Sequence, residues 1–241
     1  MSKRLVLFDI KMKMEVEVDP LPELLAGNNV FGKIKPTDLE ELKEKSSLVK
    51  LKKGEFLCHQ GYKWSKVILV KNGELSWTLL SVAGKEKILF TIRKGEDFWA
   101  HSSLDGKPMP ASLKAMKDSE IILWSAEEIL PIMYRNPEAI WALNARLVGI
   151  MRRAREIIYG LAFQPVASRL ARLFLERFLT EDEHAVERDL TLDQIAGIIS
   201  SSPQVVCKLM YQFHEDGLLE VSRATIKLQD IETLKKLSEA S

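Results

Sequence analysis

The sequence predicts an α+β chain assembled in series: a run of short antiparallel strands, then one long helix, then a small helical head closed by a hairpin. Three observations carry this. Between Leu48 and Trp124, β-prone runs alternate with breaks that each end in glycine. From Pro137 to Pro165 no further proline intervenes, so about 27 residues, roughly 40 Å of helix, can run unbroken. After Pro165 the apolar spacing is helical, and two short helices abut across Ser200-Ser201-Ser202.

Taken in order, residues 6–18 place Val6, Phe8, Ile10, Met12, Met14, Val16 and Val18 on one side, the alternation of a long amphipathic strand ended by Pro20 and Pro22. Thr37-Asp-Leu-Glu40 reads as a capping box opening a short polar helix to about Lys45. Strands are expected over 55–59, 66–70, 74–81, 85–92, 111–115 and 120–124. The breaks are Lys53-Gly54, Gln60-Gly61, Asn72-Gly73, Ala83-Gly84, Lys94-Gly95 and Asp105-Gly106. Asn72-Gly73 is the strongest hairpin signal, and the spacing predicts a small antiparallel barrel or roll. Ser125-Ala-Glu-Glu128 is a second capping box, leading into the long helix.

Asn136 is the expected N-cap of that helix, with Pro137 at its first position. Ile140, Leu143, Leu147, Ile150, Ala154, Ile157 and Leu161 are spaced 3-4-3-4-3-4, the a/d seam of a two-stranded coiled coil. A second stripe of Trp141, Val148, Met151 and Ile158 lies beside it and is expected to cover part of the same subunit. The alternative is a buried core helix; charges along the narrow seam favour a dimer helix.

The head begins with Val166, Leu170, Leu173, Phe174 and Phe178 on one helical face, followed by an acidic connection over 181–189. Thr191-Leu-Asp-Gln194 is a capping box with Leu190 and Ile195 as its staple, and Ser202-Pro203 restarts a helix that Gly217 stops. The runs 219–221 and 225–228 read as a hairpin. Two helices across a tight turn, then a hairpin, describe a winged helix-turn-helix. In its second helix Val206, Leu209, Met210 and Phe213 should face the core, with Gln204, Cys207, Lys208 and Tyr211 outward. Gln matches adenine N6/N7, Lys can donate to guanine or phosphate, and free N–H groups near Ser202 can hold a phosphate. Ser201, Ser202, Gln204, Val205, Cys207, Lys208 and, in the hairpin turn, Arg223 are the candidate DNA contacts. A helical hairpin for protein partners would show the same pattern.

Composition narrows the classes. The net charge of +1 singles out no partner. Residues 165–241 hold nine Lys/Arg against thirteen Asp/Glu, which weighs against a purely electrostatic hold on nucleic acid. Cys58 and Cys207 cannot supply four thiolates for an iron–sulfur cluster or a Cys-rich zinc site, and as neighbours on a strand Cys58 and His59 point to opposite faces. No phosphate loop, nucleophile elbow or paired metal-ligand motif appears, so catalysis is not expected. No apolar run reaches membrane-spanning length and Met1–Asp9 lacks a signal-peptide core, so a cytoplasmic protein with reduced thiols is expected.

The order of these parts resembles the catabolite-activator/fumarate-nitrate regulator (CRP/FNR) family of bacterial transcription factors, over roughly residues 31–241. The resemblance rests on Asn136-Pro137 through Arg152-Arg153 to Gly160-Leu-Ala-Phe163, supported by Asp97-Phe98, Leu104-Asp105-Gly106 and Thr191–Lys208. It implies a cyclic-nucleotide-binding-like β-roll, a dimerisation helix and a winged helix-turn-helix. The corresponding divisions are an N-terminal extension over 1–30, an effector-binding roll over 31–127, the dimerisation region over 128–163 and the DNA-binding head over 164–241. It further implies a homodimer on a pseudo-palindromic operator, RNA polymerase as a partner, and an effector that re-aims the heads about a hinge near Phe163–Pro165. Where much of the family carries Glu, then Ser or Gly, then Arg, this helix carries Gln204, Cys207 and Lys208, which points to a shifted half-site.

The effector is expected among Trp99, His101, Leu104, Met109, Met151 and Arg155. Cyclic-nucleotide members use Gly-Glu and Arg-Ser to hold ribose and phosphate; here Trp99-Ala100 and Met109-Pro110 stand there, and Ala154-Arg155 replaces the Thr-Ser pair that contacts the base. A buried phosphate without a cation at 109 would be uncompensated, so cyclic AMP is not expected. Phe98-Trp99-Ala100-His101 resembles the segment around the haem-ligating histidine of CO-sensing members, with Trp99 where some carry a cysteine ligand. Haem on His101 and a histidine satisfied by backbone partners both stay open, as does a dimeric ligand-binding protein with a vestigial head.

Overall fold

The computed structural model describes residues 21–179, 186–222 and 224–240. The strand expected over 6–18, most of the acidic connection and Arg223 lie outside them. The chain divides into two compact units, Met1–Ser76 with Thr91–Ala145, and Trp77–Phe90 with Arg146–Ser241. The division cuts the long helix and places a hairpin of the β region with the C-terminal unit, where the sequence put boundaries at 127 and 163.

The first unit opens with α1 (Leu21–Gly27), a 3-10 turn at Phe31–Lys33 and α2 (Pro36–Glu44). The Thr37 capping box does not form. Pro36 follows Lys35 into the helix, no side chain caps it, and Asp38 instead accepts from Asn136 Nδ2 at 2.7 Å. That bond, aided by Arg135, holds the Asp38 carboxyl below the usual carboxylate range. Asn136 Oδ1 also accepts from the Lys35 amide at 3.0 Å. So the asparagine expected to cap the long helix with its side chain uses that side chain to tie down α2, and only its backbone carbonyl accepts from Ala139 and Ile140.

The strands follow: β1 (Ser47–Leu51), β2 (Phe56–Cys58), β3 (Lys66–Asn72), β4 (Glu74–Leu80), β5 (Glu86–Arg93), β6 (Asp97–Trp99), the short α3 (His101–Asp105), β7 (Ser112–Ala115) and β8 (Ser119–Ser125). They form two sheets, ordered β1-β8-β3-β6 and β2-β7-β4-β5. β3 and β4 therefore belong to different sheets. Asn72-Gly73 is a corner between sheets, not the hairpin the dipeptide predicts, and the glycine is needed there. Its φ is +89°, and a Cβ would lie 2.2 Å from Ser119 Oγ and 2.6 Å from the Asp118 carbonyl. α4 (Ala126–Tyr134) has the expected reciprocal capping box between Ser125 and Glu128 and leads to α5 (Pro137–Phe163), 27 residues long.

Register decides what each face of the first sheet meets. Val67 is paired with both Trp99 and Trp124, while Ile68 is paired with Phe98 and Leu123. Paired residues share a face. The Trp face packs on the helical layer: Phe31 lies 5.2 Å from Trp124 and 6.3 Å from Trp99 between ring centroids, Trp124 Nε1 donates to the Leu42 carbonyl, and Asn28 Nδ2 donates to Asp97. The opposite face, with Ile68, Val70, Phe98, Ile121 and Leu123, is apolar and buried too.

The second unit holds α6 (Val166–Phe178), β9 (Val186–Glu187), α7 (Leu192–Ile199), α8 (Pro203–Glu215), β10 (Leu219–Val221), β11 (Thr225–Leu228) and α9 (Ile231–Glu239). The wing is a three-stranded sheet, β10-β11-β9, larger by one strand than the hairpin expected. The Thr191/Gln194 capping box forms, with Leu190 and Ile195 both buried, and Ser200 enters the turn at φ +53°. The 77–90 segment packs on α7. Lys87 Nζ donates to the Ile198 carbonyl, and Ile88 comes within 3.5 Å of where a Cβ on Gly197 would sit. Among the described residues no helix is long and apolar enough to cross a membrane.

Candidate nucleic-acid interface

The turn between α7 and α8 is fixed by its own backbone. Ser201 N donates to the Ala196 carbonyl at 2.9 Å, and Ser202 Oγ accepts from Val205 N at 3.3 Å as the N-cap of α8. Two donors at this tip are thereby taken, fewer than expected being left for a phosphate, and Pro203 has none to offer. Past the cap, the 3.6-residue period sorts the side chains. Val206, Met210 and Phe213 are buried against the head's core, whereas Gln204, Val205, Cys207, Lys208 and Tyr211 are exposed. The arrangement of Gln204, Cys207, Lys208 and Tyr211 is the one read from the sequence. Ser201 and Ser202 are half-buried, and Arg223 lies outside the described residues.

Such a surface suits major-groove work: a helix tip with an amide, a cation and small apolar groups on one side, carried by a rigid three-strand wing and a capped partner helix. Its charge is slight. Lys208 is the sole Lys or Arg on α8, and Glu215 with Asp216 ends it.

Of the six residues expected to bind an effector, Trp99, His101, Leu104 and Met109 lie in the first unit and Met151 and Arg155 in the second. Trp99 is buried on the helix-facing side against Phe31, so it does not line the apolar face that carries Phe98; β-strand parity turns it away. Met109 is buried, its amide donating to the Tyr62 carbonyl at 2.9 Å. His101 starts α3 with its ring 6.3 Å from that of Phe98, and Leu104 one turn on is exposed. Desolvation, opposed by Asp105, lowers the His101 pKa, which keeps the imidazole neutral. Met151 and Arg155 lie in the second unit, both exposed, with Arg155 paired to Glu156 and its guanidinium 5.8 Å from the Tyr159 ring centre. Among the described residues no group of three His, Cys, Asp or Glu could hold a metal ion. Burial pushes the Cys58 thiol up to about 12, so it is a neutral core group.

On α5 the two stripes differ in exposure. Leu143 of the expected seam is buried within its own chain, Ile140, Leu147, Ile150 and Ile157 are half-buried, and only Ala154 and Leu161 are exposed. The stripe expected to cover the same subunit is the exposed one: Trp141 at 76%, Val148 at 49%, Met151 at 71% and Ile158 at 66%. Both stripes have heptad spacing, and sequence alone does not say which one its own chain covers.

Comparison with known proteins agrees with this architecture. The family model described as "Cyclic nucleotide-binding domain" matches residues 48–136, and that described as "Crp-like helix-turn-helix domain" matches residues 168–237. The chain is 22% identical over 221 residues to the CRP-like cAMP-activated global transcriptional regulator of Mycobacterium tuberculosis, covering 90% of this chain and 99% of that one. It is 23% identical over 185 residues to the cyclic AMP receptor protein of Thermus thermophilus, covering 77% and 85%. Its fold is similar to FixK2 from Bradyrhizobium japonicum, with a TM-score of 0.73 at 20% identity over 81% of this chain and 98% of that one. It is also similar to a CooA mutant from Carboxydothermus hydrogenoformans, with a TM-score of 0.70 at 23% identity over 86% and 98%. With a roll, a long helix and a winged head in this order, and with both family models matched, the chain belongs to the CRP/FNR family of DNA-binding transcription regulators.

Proposed function

We propose that the protein is a cytoplasmic homodimer, not an enzyme, that binds a pseudo-palindromic operator through two copies of α8 and works with RNA polymerase. Its roll responds to an effector other than cyclic AMP and re-orients the heads. The observation that carries the DNA-binding part is the division of α8, with Val206, Met210 and Phe213 holding the helix down while Gln204, Val205, Cys207, Lys208 and Tyr211 are left outward. The dimer is supported by the stripe of α5 that has heptad spacing and is exposed among the described residues. A gel-shift titration over salt tests the reading against a vestigial head: phosphate contacts make affinity fall as salt rises, and a head without them binds no operator at any salt.

For the effector, the face of the first sheet turned away from the helices carries Ile68, Val70, Phe98, Ile121 and Leu123, an apolar set with no cation among them to meet a cyclic phosphate. That supports an apolar small molecule. Haem is the alternative, because the neutral imidazole of His101 is a competent axial donor. The fit is limited to that one donor, since Trp99, two residues earlier, is packed on Phe31. Calorimetric titration with cyclic AMP, beside visible spectra after adding haem, separates the three.

A further inference from the structure

Resting on the DNA-binding reading above, we infer that the half-site is read at A·T pairs, with Gln204 on an adenine and Val205 and Cys207 against thymine methyl groups. The argument starts from what each base edge demands in the major groove. Guanine shows two acceptors, N7 and O6, and a bidentate reader must bring two donors; cytosine shows a donor and needs an acceptor such as a carboxylate. α8 has no arginine, and its carboxylates are confined to Glu215 at the far end from the tip. Adenine shows one acceptor and one donor, N7 and N6–H₂, and a primary amide carries the complementary pair.

Gln204 is exposed and is the second residue of α8, in the turn that the Ser202 cap and Pro203 hold in place. Val205, 40% exposed, and Cys207 flank it. An apolar side chain in a polar groove has one partner on the base edges, the C5 methyl of thymine. Lys208 sits one turn further along, about 6 Å up the axis, and there it serves a backbone phosphate. Glu215 and Asp216 repel the sugar–phosphate chain at the other end, which favours entry by the tip. The half-site is thus recognised by shape and amide pairing at A·T steps, with little help from charge.

The test is a selection of bound duplexes from a random pool with the full chain, followed by titrations of wild type, Gln204→Glu and Lys208→Met on the selected site. A·T pairs are expected beneath Gln204, Val205 and Cys207, and changing the Gln204 pair to G·C should weaken binding roughly 5- to 150-fold. Gln204→Glu should move the preference at that one position from adenine to cytosine, as a carboxylate requires. Lys208→Met should weaken every sequence alike and reduce the salt slope by about 0.9 for each phosphate no longer neutralised. Both substituted side chains are exposed, and a thermal melt confirms that the variants fold. Selected sites with G·C pairs at these positions, or a Gln204→Glu preference that does not move, overturn the readout while leaving DNA binding standing. A pool that shows no enrichment overturns the DNA-binding reading itself.

Discussion

Met151→Asp should split the proposed dimer without unfolding the subunit. Full burial of a large apolar side chain is worth about 1.5–3 kcal/mol. With Trp141, Val148, Met151 and Ile158 exposed by 76, 49, 71 and 66%, covering them yields about 4–8 kcal/mol per helix and twice that for a pair. Association costs about 4–15 kcal/mol, so the stripe suffices for a dimer only if most of it is buried. Met151 contributes about 1–2 kcal/mol per copy, and an aspartate in its place adds two facing carboxylates. The loss is roughly 3–6 kcal/mol, at least a hundredfold in the dimer Kd. Sedimentation velocity at micromolar concentration reads the state, and a thermal melt of the variant should stay near wild type because Met151 has little to lose within its own chain. A monomeric wild type would refute the dimer. A dimeric Met151→Asp variant would refute this choice of stripe and return the interface to the seam through Leu147 and Ile150.

Other outcomes follow from single contacts. Gly73→Ala should cost upward of about 2 kcal/mol in a denaturant titration, since the positive φ and the 2.2 Å approach to Ser119 Oγ are both incompatible with a Cβ; a neutral result would mean the corner can shift. Native alkylation followed by mass spectrometry should label Cys207 alone, because Cys58 is buried with its thiol pushed up to about 12, and labelling of both thiols at equal rates would contradict that. Burial, then the nearby Arg169, holds folded Lys87 at about 8 against 10.5 in the open chain. The unfolded state therefore binds the proton more tightly, the penalty is full below pH 8, and it is relieved as pH rises towards 10.5. The stability of Lys87→Met minus that of wild type should fall by up to about 3 kcal/mol between pH 7 and pH 10, the Ile198 carbonyl contact reducing this; a flat difference would count against the desolvated lysine. If haem is the effector, its visible spectrum on the protein changes in His101→Ala, and identical spectra remove His101 as a ligand.

What was legible in the sequence depended on the range of the cause. Gly54, Gly61, Gly73, Gly84, Gly95 and Gly106 all take positive φ, so each glycine break was a real turn, and the Ser125 and Thr191 capping boxes formed because their four residues suffice to make them. The Thr37 box failed because α2 begins at Pro36 with Lys35 as its N-cap, which places Thr37 inside the helix; Asp38 is taken instead by Asn136, about a hundred residues away. Asn72-Gly73 gave the turn but not the pairing, since which sheet β4 joins is set by β7 and β5. β1, β6, α1 and α3 are five residues or fewer, or weakly patterned, and went unread. The outward face of α8 was visible because one helix's period defines it. The direction of Trp99 was not, because the side to which it points is fixed by its pairing with Val67, a register no local pattern shows.

The support that Lys87 and Ile88 lend to α7 bears on how this protein can be dissected. Ile198 receives its lysine from 111 positions upstream, and Gly197 rests on an isoleucine from the same strand. A fragment excised at residue 164 would keep α6, α7, α8, α9 and the wing yet shed that brace, exposing apolar surface over Gly197 and leaving a carbonyl near the helix end to water. The piece that reads as self-sufficient would then melt earlier than its own contents imply, and supplying residues 77–90 on a separate peptide should restore part of the difference.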